Sequence, residues 1–284
     1  MKKILSSFVL LLAILCQSNF LSNAEPLHGD IHSEIAPILG SRMPYVALIT
    51  DRTKSNTLGY HLCTGTLLTK DKVLTSTSCI KKSESIQNLE VTFETTNEKL
   101  GRHKRFRVRS IYTYEEWCMN HQNCFFDKYT DDLCFLKLDT IDVGIPYAVL
   151  SQVKKFPVTG SSMKLIGWGH TRDDFFPKSA HKAYAVLLSK PQCEQRVRKL
   201  VPSCLSNVVL PERVMCAAAD PPVLAVHGDY GGPVFYERDR SISGMIIQRC
   251  PMYHPLDVGP GQVNLIIHLS YYSNFLRDAM YNDH

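Results

Sequence analysis

Gly228-Asp229-Tyr230-Gly231-Gly232-Pro233 places a phenol at the centre of a glycine-rich turn. Glycines around one residue permit backbone angles that expose its side chain and the neighbouring N–H groups, as a site that presents a nucleophile and receives a developing oxyanion requires. A phenol has a reference pKa of about 10 and attacks only where a base or metal lowers it. Elsewhere Ser78, directly before Cys79, offers a hydroxyl, and Asp132, which opens Asp132-Leu133-Cys134-Phe135-Leu136-Lys137-Leu138, offers a carboxylate. A serine hydroxyl does not take up a proton near neutral pH, so Ser78 is no general base. Asp132 reads as a structural acid hydrogen-bonded to hydroxyls or amides. The glycine-rich turn, taken alone, is also compatible with a chance match. The eleven histidines include His61, His103, His121, His170, His181, His227 and His254, which lack the paired spacing of metal ligands; no metal and no cofactor is expected.

The elements that must position these residues read as strands. Apolar, β-branched runs at Lys72 to Ser76, Leu89 to Phe93, Leu133 to Leu138, Met163 to Gly167, Gly232 to Phe235 and Ser243 to Ile247 recur between polar turns, which argues for an all-β chain. Helical periodicity is expected only near the end, over Tyr271 to Met280, with Tyr272, Phe275, Leu276 and Met280 on one face. Residues 1–24 read as a secretory signal peptide: Lys2 and Lys3, an apolar core from Phe8 to Leu15, and small residues at Ser22-Asn23-Ala24. That core is far too short to span a membrane as a helix. Removing the two lysines takes the net charge from +5 to +3, too small an excess to imply a nucleic-acid partner.

The order of motifs resembles the trypsin/chymotrypsin-like (S1) serine proteases. The turn at 228–233 is similar to their Gly-Asp-Ser-Gly-Gly-Pro, with Tyr230 in place of the nucleophilic serine. Cys63-Thr64-Gly65-Thr66-Leu67-Leu68 through Val73-Leu74-Thr75-Ser76-Thr77-Ser78-Cys79 resembles the Cys-Gly-Gly-Ser-Leu-Ile to Ala-Ala-His-Cys stretch, with Ser78 where the general-base histidine stands. Asp132-Leu133-Cys134-Phe135 resembles the strand that carries the triad aspartate. Pro44-Tyr45-Val46-Ala47-Leu48, Leu165-Ile166-Gly167-Trp168-Gly169, Met215-Cys216-Ala217 and Pro260-Gly261 follow in the family's order, so the resemblance runs from about residue 31 to 280.

It implies a chymotrypsin-like double six-stranded β-barrel with a C-terminal helix: a peptidase S1-like domain over 25–284, with a first barrel over about 31–150, a second over about 151–270 and a closing helix over about 271–281. It also implies a degenerate triad at Ser78, Asp132 and Tyr230, and a remnant oxyanion segment at Gly228 and Asp229. His227, beside that segment, is expected at the cleft rim and not behind the nucleophile. Nine cysteines follow the leader. By resemblance Cys63 pairs with Cys79 and Cys193 with Cys216, while Met163 and Tyr236 stand where another bridge would be and Val226 replaces a further cysteine. Cys118 and Cys124 can close on each other, Cys204 can pair with Cys250, and Cys134 is left as a buried thiol or an intermolecular bridge.

Activation and specificity depart from the family as well. Residues 25 to 41 contain no Lys or Arg at which to free an activating amine, and Ile31-His32-Ser33-Glu34 lacks the glycines of the usual new terminus. Asp229, the customary partner of that amine, is therefore expected to find another. Leu224 takes the place of the aspartate that selects Lys or Arg. Ile247-Gln248-Arg249 replaces Ser-Trp-Gly at the substrate edge, so that Arg249 obstructs the cleft, and Gly261 closes the altered pocket.

The resemblance thus implies a secreted, extracellular, catalytically inactive serine protease homologue that acts by binding a protein partner, an active protease or another secreted protein, in a pathway such as seminal fluid. The alternatives are a hydrolase with a replaced nucleophile, and a carrier of a polyanion or small ligand. The polyanion reading rests on residues 102–109, Arg-His-Lys-Arg-Phe-Arg-Val-Arg, whose alternation is also that of a strand with one solvated face.

Overall fold

The computed structural model describes residues 36–37, 43–54, 60–94, 103–151, 157–170, 177–200, 209–219, 223–236, 241–247 and 262–282. The signal peptide, Ile31, Cys204, Gln248, Arg249, Cys250 and Gly261 lie outside them.

Two antiparallel barrels follow one another along the chain. In the first, β2 (Val46–Asp51), β3 (Tyr60–Leu67), β4 (Lys72–Thr75), β5 (Leu89–Glu94), β6 (His103–Thr113) and β7 (Cys134–Leu138) close in the order β2-β3-β4-β7-β6-β5. In the second, β8 (Ser162–Gly167), β9 (His181–Leu187), β10 (Val214–Ala218), β11 (Pro233–Tyr236), β12 (Gly244–Ile246) and β13 (Asn264–His268) run β9-β10-β13-β12-β11-β8, and β8 pairs back with β9. A short β1 (Ala36–Pro37) adds to β9, Ala36 opposite Lys182. Closure leaves each barrel few open edges, and its inward side chains, among them Ile49, Leu67, Phe93 and Leu136, are wholly buried. Met163 and Tyr236, the positions of a missing bridge, are direct cross-strand partners between β8 and β11.

The barrels are fastened together by backbone. The connecting segment donates from Ala148 N–H to Leu67 of the first barrel (2.8 Å) and exchanges bonds with Ile242 of the second, from Ser151 and to Val149 (2.8 Å each). The second fastening is α4 (Ser273–Tyr281), which buries Phe275, Leu276 and Ala279. The ammonium of Lys72, on β4, donates to the carbonyls of Ala279 (2.8 Å), Met280 (3.2 Å) and Asn282 (2.6 Å), satisfying acceptors that the end of a helix leaves open and complementing its dipole.

Three helices depart from the expectation that only the chain end is helical. α1 (Thr77–Ile80) is a single turn after β4. α2 (Tyr114–Met119) begins with a capping box: Glu116 N–H donates to Thr113 Oγ1 (3.1 Å) and Thr113 N–H to the Glu116 carboxylate (2.8 Å). Among the side chains described, α3 (Lys190–Leu200) buries Cys193 and Val197 amid charged residues, a stripe too thin to stand out as periodicity. Its disulfide to Cys216 on β10 supplies what its apolar face lacks.

Candidate functional site

Asp132 ends the loop before β7, and its carboxylate meets the turn that follows β4. It accepts from Ser76 Oγ (2.6 Å), Ser78 N–H (2.6 Å) and Ser78 Oγ (2.8 Å), and the two hydroxyl oxygens lie 3.0 Å apart. The Cys63–Cys79 disulfide fixes α1, and with it Ser78, to β3. The arrangement therefore joins two residues that the resemblance sets at triad positions, through a hydroxyl that donates to the carboxylate and not through an imidazole that could collect a proton.

The Gly228–Pro233 turn is stitched to the first barrel by Thr64, a residue the sequence offered no reason to single out. Its N–H donates to Tyr230 C=O (2.9 Å), its hydroxyl donates to Gly228 C=O (2.7 Å) and accepts from Trp168 N–H (2.8 Å), and its own carbonyl accepts from Thr75 Oγ1 (2.7 Å). Gly231, at φ 85°, passes so close to Thr64 and Thr75 that a Cβ would collide with both. Tyr230 is 6 % exposed, and its ring belongs to the core cluster that also holds Leu62 and Val234.

Asp229 has partners of its own. Its carboxylate accepts from Gly169 N–H (2.7 Å) and Val226 N–H (2.9 Å), while its backbone N–H donates to Val226 C=O (3.0 Å). The carboxylate fills the space beside Gly167 and Gly169, where any Cβ would strike it. Burial pushes its pKa up to about 6, against the lowering effect of the two N–H donors.

Basic groups gather at the rim. Lys82 Nζ lies 3.4 Å from His227 Nδ1, and the rings of His170 and His227 stack with centroids 5.8 Å apart. Burial, then the charges of Lys82, His170 and His61, push the His227 pKa down to about 4. Burial likewise lowers that of Lys82, opposed by the charge of Asp132. Histidines that are dispersed in the sequence thus converge in space. Among the described residues no group of three or more His, Cys, Asp or Glu is arranged to hold a metal ion.

Below the turn, Leu224 is part-buried on a segment that Asn264 of β13 holds. Ala225 N–H donates to Asn264 Oδ1 (2.6 Å), and Asn264 Nδ2 donates to Val223 C=O (2.8 Å). Cys193 is bonded to Cys216 and Cys118 to Cys124. Cys134 is a wholly buried thiol in β7, and burial pushes its pKa up to about 12. The basic stretch lies on β6, where Arg105, Arg107 and Arg109 share an exposed face and Arg105 approaches Glu90 at 3.8 Å.

Two barrels closed by a C-terminal helix, with Ser78, Asp132 and the 228–233 turn at their junction, define a chymotrypsin-like protein. The Trypsin family model matches residues 36–249, and the chain belongs to that family. Among curated proteins it is similar to rhinocerase 2, a snake venom serine protease homolog of Bitis rhinoceros, and to snake venom serine protease homolog 1 of Bitis gabonica. Each is 31 % identical over 162 residues, covering 55 % of this chain and 56 % and 55 % of the relatives. Spermosin of Halocynthia roretzi is 24 % identical over 63 % of this chain and 44 % of its own length. The chain thus spans about half the length of these relatives. Among solved structures, mouse neuropsin, a serine protease, superposes with a TM-score of 0.64 at 16 % identity, over 87 % of this chain and 99 % of neuropsin; this likeness concerns the fold. No helix among the described residues is long and apolar enough to cross a membrane.

Proposed function

We propose that the chain is a secreted serine protease homologue without catalytic activity, acting by binding another extracellular protein. The observation that carries this reading is the Ser78–Asp132 pair: the carboxylate that would orient a histidine is engaged by two serine hydroxyls and an amide, so the cleft has no base at the site where the reaction needs one. The phenol of Tyr230 adds a second deficit, since its ring is packed into the core, and a phenol attacks only where a base or metal lowers its pKa. Three disulfides among the described residues favour an oxidising compartment. Two relatives are themselves named serine protease homologs.

A fluorophosphonate probe and a peptide-substrate library test the reading. The expected result is neither labelling nor turnover; covalent labelling of Tyr230 or Ser78 would overturn it. Ser78→His combined with Tyr230→Ser is expected to remain inactive, because the pocket and activation segment have changed too. A second reading, polyanion binding, is favoured by Arg105, Arg107 and Arg109 on one exposed face. It requires retention on heparin that falls steeply with salt and is lost when all three arginines are replaced by glutamine.

A further inference from the structure

The cavity between α4 and the disulfide-closed loop after α2 lies on the face that Asp131, not Asp132, supports. We propose that it docks an extended segment of a partner protein presenting an aromatic or branched apolar side chain flanked by carboxylates. This names a surface for the binding role proposed above, yet it rests on its own geometry and stands whether or not the cleft is inert.

The cavity encloses about 650 Å³, within the range of about 300–1,000 Å³ typical of ligand pockets. Its floor is aromatic: Tyr114 stacks on Trp117 (5.6 Å, 21°) and meets Phe275 edge-on (5.4 Å, 79°). The floor is already held in place. Trp117 Nε1 donates to Asp278 on α4 (3.0 Å), the His121 ring lies on Trp117 at 4.0 Å with its Nδ1 2.7 Å from Trp117 C=O, and Cys118–Cys124 closes the loop. Behind it Tyr272 Oη donates to Asp131 (2.7 Å), which also pairs with Arg213 (2.9 Å). A floor fixed in advance costs little ordering entropy when a ligand arrives.

The rim determines the occupant. Phe125 is 73 % exposed and Tyr271 48 % exposed, both lining the cavity. A ligand confined to the cavity leaves these rings in water, whereas a peptide lying across the rim covers them, as the exposed aromatic anchors of protein interfaces are covered. Charge selects its flanks. Arg213 is already paired with Asp131 behind the floor, and Asp278 accepts from Trp117 and lies 3.7 Å from His121 and 3.9 Å from Arg277, so among the described lining residues Arg277 is the cation that an arriving carboxylate meets. The Arg277 side chain is 68 % exposed at the mouth, positioned for a carboxylate.

The probe is the capped tripeptide Glu-Phe-Glu, titrated at low salt into the full purified chain, with Lys-Phe-Lys and Glu-Gly-Glu as controls. Trp117 reports binding, since it lines the cavity and the only other tryptophan, Trp168, does not. Calorimetry supplies the affinity independently. Glu-Phe-Glu is expected to bind about ten-fold tighter than either control, and Arg277→Glu or Phe125→Ser to weaken it about five-fold with unchanged melting temperature. Equal affinity for Lys-Phe-Lys, or indifference to Arg277→Glu, would overturn the proposal. So would no saturation by about 5 mM, where the binding free energy has shrunk to about 3 kcal/mol. Indole binding as tightly as Glu-Phe-Glu would make this a small-ligand pocket and remove the peptide occupant. None of these outcomes bears on fluorophosphonate reactivity, so the two readings fail separately.

Discussion

Asp131 and Asp132 are neighbours in the chain and hold opposite faces of one loop. Asp132 turns to the cleft and takes its hydrogen bonds from serines and an amide. Asp131 turns to α4 and takes a part-buried guanidinium and a buried phenol, Arg213 and Tyr272. In the cleft the donors are small and neutral: the buried hydroxyl of Ser76 and the hydroxyl and N–H of the part-exposed Ser78. On the other face a cation depends on its acid, so the electrostatic commitment of this loop lies behind the aromatic cavity and not at the former centre of catalysis.

The sharpest way to break this contrast is to remove each acid in turn. Asp131→Ala is expected to cost about 3 kcal/mol in denaturant melts, because it strands a part-buried cation and leaves the buried phenol of Tyr272 without its acceptor. Asp132→Ala should cost about 2 kcal/mol, the loss of charge-assisted bonds from neutral donors. Equal costs would show that the two faces are not differently invested.

A pH series separates two groups within the cleft. Asp229 titrates near 6 when folded and near 3.8 in its reference state, so the folded protein binds the extra proton between those values, and this group's contribution falls as pH rises through that window. His227 titrates near 4 folded against 6.5, so the unfolded chain binds the extra proton, and its contribution is lost as pH falls from 6.5 toward 4. The two slopes oppose each other and largely cancel in the parent chain. Asp229→Asn should therefore reveal stability that climbs with pH between about 4 and 6.5, and His227→Gln stability that declines over about 4 to 6. A flat profile in either variant contradicts the assignment of its partner. The smallest effect is expected at the cavity rim: Phe125→Ser should leave stability within about 0.5 kcal/mol in the same melts, since its ring is already in water.

Strand positions were readable because alternating burial leaves a local imprint: Leu89–Glu94 and Ser162–Gly167 lie within a residue of the apolar runs that announced them. α3 was not, because a disulfide and not an apolar stripe holds it. Ser78, Asp132 and Tyr230 could be picked out by their place in ordered motifs. Thr64 and Asn264 could not, as each works through backbone groups remote in sequence and neither residue type advertises that role. The cavity was invisible for the same reason. It exists because Trp117 reaches Asp278, 161 residues later, and no local pattern records such a meeting.

Lys72 joins the first barrel to the helix that follows the second. It is 6 % exposed on β4, and three carbonyls that receive its ammonium belong to residues 279, 280 and 282. A ribosome delivers all six strands of the first barrel well before it delivers those carbonyls. Throughout that interval the nascent chain must leave this ammonium hydrated, and β4 cannot settle into its final surroundings. The first barrel is finished by a helix made only after the second.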